Sequence, residues 1–271
     1  MSERYLRFEC ELKELVGTLT EGSPGCRRGV LVVHPMGEEK KFAHRVLAQT
    51  AWALGKAGVW TLRFDLSGSG DSFGEFREAT LGGWKREIIV AAAVLKRESR
   101  VEEIAVLGLR LGASLAWLVR GEIAGLREAV LWEPALSGKH YLESLWQRKL
   151  VREMMTTGKG KTTWAAGREE MTRTGYVDLD GWDLGAALAQ DLEKLDLTRS
   201  EPPCPSRTLA VQIAFNGKVS PELEKFAGTV RAANGVMETM GIRERPIWDR
   251  VELVEAAELT RTTVAWLTEK R

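Results

Sequence analysis

Ile104-Ala105-Val106-Leu107-Gly108-Leu109-Arg110-Leu111-Gly112-Ala113 runs from an apolar segment through two glycines into a helical pattern. Ile104–Leu109 is a short apolar run, the pattern of a strand buried on both faces. It passes without a linker into a helical pattern over Leu111–Arg120, and glycines at 108 and 112 bracket the junction. Upstream, Gly29–His34 predicts a strand, Lys41–Lys56 a helix ended by Gly58, and Val59–Asp65 a second strand. A Gly/Ser-rich loop over Leu66–Gly74 and a helix over Leu81–Arg97 come next, and Glu128–Trp132 follows the central stretch as a further strand. Strands and helices that alternate on short links imply a parallel sheet covered on both faces. Right-handed crossovers then place the loops after the strands along one edge, where ligands bind in such sheets. His34, Asp65, Arg110 and Glu133 each stand at or just past a predicted strand end, so this topology puts them in one crevice.

From Ser137 to Pro205 the alternation stops, and the segment ends in the breaker cluster Glu201-Pro202-Pro203-Cys204-Pro205. It reads as a cap or lid over the sheet edge. The expected organisation is therefore a core of residues 1–136 and 206–271 interrupted by a cap at 137–205. The second part resumes with a strand at Thr208–Phe215, a weaker one near Val236–Met240, and a closing helix over Val251–Lys270.

A chain of 271 residues with 44% hydrophobic and 28% charged residues can bury one sizeable core. The net charge of +1 argues against a broad face for nucleic acid. No apolar run reaches the ~20 residues of a membrane span, and Met1–Tyr5 lacks the apolar core of a signal peptide. Cys10, Cys26 and Cys204 are too few and too scattered for a disulfide framework or a zinc site. The expectation is a cytoplasmic protein with no metal and no cofactor. Gly158–Thr163 ends like a phosphate-binding loop, but Met155 stands where its first glycine belongs and no strand precedes it.

The strand–Gly–x–Arg–x–Gly–helix pattern matches the nucleophile elbow of serine hydrolases, G-x-S-x-G, in every respect except its centre. Arg110 stays protonated at physiological pH and can be neither nucleophile nor general base. The other parts of a Ser-His-acid triad are missing too. The histidines are His34, His44 and His140, all ahead of the region where the base belongs, and Asn216 follows the strand that normally precedes the acid. No residue qualifies as catalytic on these grounds.

Gly108–Ala113, His34-Pro35-Met36-Gly37-Glu38-Glu39, Asp65–Ser72, Leu131–Lys139 and Pro246-Ile247-Trp248 together look like the second of two hydrolase-like proteins associated with the bacterial exosortase A system. That family's elbow reads G-L-R-L-G, so the arginine belongs to its pattern. Two departures are His34-Pro35-Met36-Gly37 in place of Pro-Pro-Phe-Ala, and Ile247 in place of phenylalanine. The resemblance implies an α/β-hydrolase fold and a link to exopolysaccharide and surface-protein sorting.

Two readings of Arg110 stay open. A fixed fork of donors at a helix N-terminus binds a carboxylate, phosphate or sulfate of a ligand. Alternatively it pairs with Glu38, Glu39, Asp65 or Glu133 and locks the loops together, since a buried guanidinium needs a counter-charge. The candidate ligand-binding set is Arg110, Leu111, His34, Glu38, Glu39, Glu133, Ser137, Lys139 and Trp248, with an anionic small molecule or a partner protein as the occupant. Glu38-Glu39 competes with a plain solvated turn, His34 with a structural histidine, and Ser137–Lys139 with a hinge. The other function classes are an acyl ester or thioester hydrolase or acyltransferase of unconventional mechanism, and a scaffold for a sibling hydrolase.

Overall fold

A computed structural model describes residues 2–158, 163–199, 205–249 and 255–269. The chain opens with two strands, β1 (Glu3–Cys10) and β2 (Lys13–Thr20), paired antiparallel. Then come β3 (Arg28–Val33), α1 (Gly37–Lys56), β4 (Trp60–Phe64), α2 (Leu81–Ser99), β5 (Glu103–Leu109), α3 (Leu111–Leu118) and β6 (Leu126–Trp132). The 137–205 region contributes α4 (Gly138–Thr157), α5 (Trp164–Thr174), a hairpin of β7 (Tyr176–Leu179) and β8 (Trp182–Gly185), and α6 (Ala186–Lys194). The chain closes with β9 (Arg207–Ala214), α7 (Pro221–Ala232), β10 (Met237–Arg243) and α8 (Ala257–Thr268).

Eight strands form one sheet in the order β1-β2-β4-β3-β5-β6-β9-β10. All neighbours from β4 to β10 run parallel, while β2 joins β4 antiparallel. The alternating side chains of the central strands feed two cores. Val30 and Val32, with Ala105 and Leu107, pack under α1 and α8. Leu31 and Val33, with Ile104 and Val106, pack under α2 and α3. Both faces are covered, which is why these strands are continuously apolar.

The predicted central strands and helices are all present. α1 starts at Gly37 rather than Lys41, so Glu38 and Glu39 lie in its first turn and not in a preceding loop. Gly37 takes φ +59, which lets the chain turn into the helix early, and carboxylates are favoured at that end of the dipole. The β1–β2 hairpin, the β7–β8 hairpin and α7 lie outside the sequence reading. Of the predicted closing helix, Val251–Val254 and Lys270 fall outside the described residues, as does Cys204.

The elbow is built by backbone contact. A Cβ on Gly112 would collide with the carbonyl oxygens of Val33 and His34, and one on Gly108 with the backbone of Ala113. Arg110 itself sits at φ +54, ψ −122, a region costly for a residue with a side chain. Its N–H donates to Trp132 O at 2.9 Å, and its C=O accepts from Ala113 and Ser114, which fixes the turn. Gly112→Ala should therefore destabilise the fold by roughly 2–3 kcal/mol. Urea unfolding checks this, and an unchanged midpoint would mean that β3 yields to the methyl group.

Candidate functional site

The site centres on the Glu39 carboxylate, only 2% exposed. Its Oε1 accepts from Arg110 Nε at 3.2 Å and from an Arg148 terminal nitrogen at 2.5 Å, and its Oε2 accepts from the Tyr141 hydroxyl at 2.7 Å. The Arg110 guanidinium also lies 4.8 Å from the ring centroid of Trp248 and 5.2 Å from that of Tyr141. Cations over aromatic faces are stabilised by the ring quadrupole. Burial works against the charge of Arg110, but Glu39, Tyr141 and Glu133 outweigh it and hold its pKa above the ordinary value. Burial and then the Glu39 charge push Tyr141 well up, so it remains a hydroxyl donor.

Arg110 uses one of its donors on Glu39. Among the described residues its terminal nitrogens make no hydrogen bond, although a guanidinium carries five N–H groups. They border two hollows. One, of about 580 Å³, is lined by Arg110, Ser144, Gln147, Arg148, Val151, Arg152, Met155, Trp248 and Asp249. The other, of about 280 Å³, includes Arg110, Glu133, Ser137, His140, Tyr141 and Gln212.

The remaining expected residues fall at varied distances from this centre. Glu38 pairs with Arg152, which also holds Asp180 at 3.2 Å. Glu133 lines the smaller hollow at φ +47, and accepts from Gln212 at 2.5 Å and from the Ile213 N–H at 2.7 Å. Burial raises its pKa against the pull of that N–H and of Arg110. Ser137 lines the same hollow and caps α4 through the His140 N–H. Lys139 is exposed on the first turn of α4 and lines neither hollow. Leu111 is fully buried in the core, so its side chain faces no ligand space.

His34 and Asp65 do not share the crevice of Arg110 and Glu133. They face a separate cleft of about 420 Å³ between α1 and β2–β4. There Lys40 binds Asp65 at 2.6 Å and His34 Nε2 lies 3.7 Å from the same carboxylate oxygen. The Leu66 N–H donates to His34 Nε2 at 3.3 Å, which leaves the ring proton on Nδ1, 2.7 Å from Pro35 O. Both nitrogens are thus engaged in holding loops. The Asp65–Ser72 loop is likewise self-tied, with Ser72 Oγ donating to Asp65 O at 2.6 Å and Asp65 accepting from the Asp71 N–H at 3.0 Å.

Tyr141 and Arg148 went unnoticed in the sequence although the signal exists. With Ser144 they fall at three- and four-residue spacing on α4, one helical face. What the sequence lacks is any indication that this face meets Glu39, more than a hundred residues earlier.

The chain matches no protein-family model and no curated protein. Solved structures do resemble it. Est1E from Butyrivibrio proteoclasticus, with ferulic acid bound, aligns at TM-score 0.67 and 17% identity over 97% of both chains. A proline iminopeptidase-related protein from Thermus thermophilus aligns at TM-score 0.62 and 18% identity over 98% of both chains. An esterase from Pyrococcus furiosus aligns at TM-score 0.62 and 15% identity, over 98% of this chain and 90% of the other. With the parallel sheet and the elbow, these likenesses establish the α/β-hydrolase fold. Among the described residues no helix is long and apolar enough to cross a membrane.

Two outcomes follow from these contacts. Glu39→Ala leaves two partly buried guanidiniums without their carboxylate and should cost roughly 2–4 kcal/mol, whereas Arg148→Ala should cost less; chemical denaturation of both measures the difference. Burial, then the Lys40 charge, lowers the His34 pKa from 6.5 to about 4. Between those values the unfolded chain binds the extra proton and the native chain does not, so stability is lost as pH falls from 6.5 towards 4. The loss is on the order of 3 kcal/mol. Unfolding midpoints across that window should slope downward with acid, and His34→Gln should flatten the slope.

Proposed function

We propose that this protein is a non-hydrolytic or atypical α/β-hydrolase-fold protein that binds an anionic small molecule at Arg110, beneath a cap formed by residues 137–205. The observation that carries the reading is the state of Arg110: its backbone occupies the elbow, only its Nε donates to Glu39, and its side chain lines a cleft. A planar fork of free N–H groups between aromatic rings is suited to bidentate binding of a carboxylate or phosphate. Arg148 shares Glu39 with Arg110, so two guanidiniums converge on one carboxylate beside the cleft.

The elbow residue has no nucleophilic atom. His34, the histidine at a strand end, is engaged with loop backbone in another cleft. Turnover through a serine at the elbow is therefore not part of this reading, and the family likeness to an exosortase-linked hydrolase supplies a setting rather than a reaction.

The test is ligand-observed NMR with inorganic phosphate and benzoate, alongside ester and thioester assays. Binding of at least one anion, weakened about tenfold or more in Arg110→Gln, is expected, with turnover no faster than buffer. Neither anion binding, or ester turnover abolished by Arg110→Gln, would overturn the proposal. Arg110→Ser restores the elbow serine without a base and should remain inactive.

A further inference from the structure

The larger cleft beside Arg110 carries both charged and apolar side chains along a single helix, its second arginine, Arg152, being held by Glu38 and Asp180. Ser144, Gln147, Arg148, Val151, Arg152 and Met155 all line it from α4. Arg148 stands at the inner end, against Glu39 and in the company of Arg110. One and two turns further on come Val151, 54% exposed, and Met155, 84% exposed. These two side chains give the outer part of the cleft an apolar surface that an aliphatic group can cover. Trp248, which also contacts Arg110, lines the same cleft. From Arg148 to Met155 the helix rises about 10 Å, the span of an alkyl chain of roughly eight carbons.

Among the described residues two other clefts are of comparable size: one of about 690 Å³ between α5 and α6, where Arg168 pairs with Glu193, and that of His34, Lys40 and Asp65. In the latter the buried charges are paired with one another, and the histidine is bonded to backbone. The α4 cleft instead joins free donors to unpartnered apolar side chains.

We infer that the ligand is a medium-chain monocarboxylate, its carboxylate on the free Arg110 donors and its aliphatic tail along Val151, Met155 and Trp248. The inference rests on the anion-binding reading of Arg110 and adds the chemistry of the rest of the molecule. Asp249 lines the cleft as well, and its charge disfavours a ligand with more than one acidic group.

The test is calorimetric titration of the intact protein with the straight-chain series acetate, butanoate, hexanoate, octanoate and decanoate, with inorganic phosphate, octanol and octanedioate as controls. Affinity should rise about threefold per methylene up to roughly eight carbons and then level off. Octanol and octanedioate should each bind at least tenfold more weakly than octanoate. Val151→Ser with Met155→Ser, both on exposed positions, should flatten the chain-length series while leaving acetate or phosphate unchanged. A series flat in the parent protein, with phosphate bound in an Arg110-dependent way, overturns the tail assignment but spares the anion site. Octanol equal to octanoate overturns the carboxylate assignment. No binding of any anion removes both readings.

Discussion

The buried Glu39 carboxylate ties together parts of the chain that are far apart in sequence. It stands in the first turn of α1 and accepts from Arg110 on the elbow and from Tyr141 and Arg148 on α4. A carboxylate removed from water this completely is tolerable only with its lone pairs filled, and the two guanidiniums have the same need in reverse. Each group is therefore a condition for burying the others. The placement of α4 over the sheet edge, the orientation of Arg110 and the shape of the adjoining clefts all follow from that mutual requirement.

The elbow keeps its geometry independently of the residue at its centre. Its shape comes from Gly108 and Gly112, where backbone meets backbone too closely for any side chain, and from hydrogen bonds made by the main chain of Arg110. A side chain at such a turn is displayed at the top of the sheet whatever its chemistry. In hydrolases that display serves a nucleophile. Here it carries a fork of donors between aromatic rings, so the turn presents positive charge where attack would otherwise start.

The sheet edge holds two polar centres rather than one. His34 continues the alternation of β3 on the side of Val32, and both line the cleft under α1 with Lys40 and Asp65. Arg110 and Glu133 open instead toward α4 and the loop before α7. Strand ends place residues along a common edge, but the face each side chain takes is set by pleat and by the turn that follows. His34, with both ring nitrogens bonded to backbone, serves the loops around it.

The alternating core, the parallel sheet, the elbow and the absence of a serine at its centre are all legible in the amino-acid order, because they depend on local periodicity and on glycines that no other residue replaces. That order also narrowed the partners of Arg110 to a few acids, Glu39 among them. Which acid that was is a matter of tertiary contact, since Glu39 meets Tyr141 and Arg148 through side chains that reach from α1 to a helix a hundred residues later. The tertiary structure likewise put the Leu111 side chain in the core and Lys139 on the exposed surface, and moved His34 and Asp65 to a cleft of their own. Periodicity tells which residues share a face of one element. Which faces come together is decided by the burial of charge and apolar surface across the whole chain.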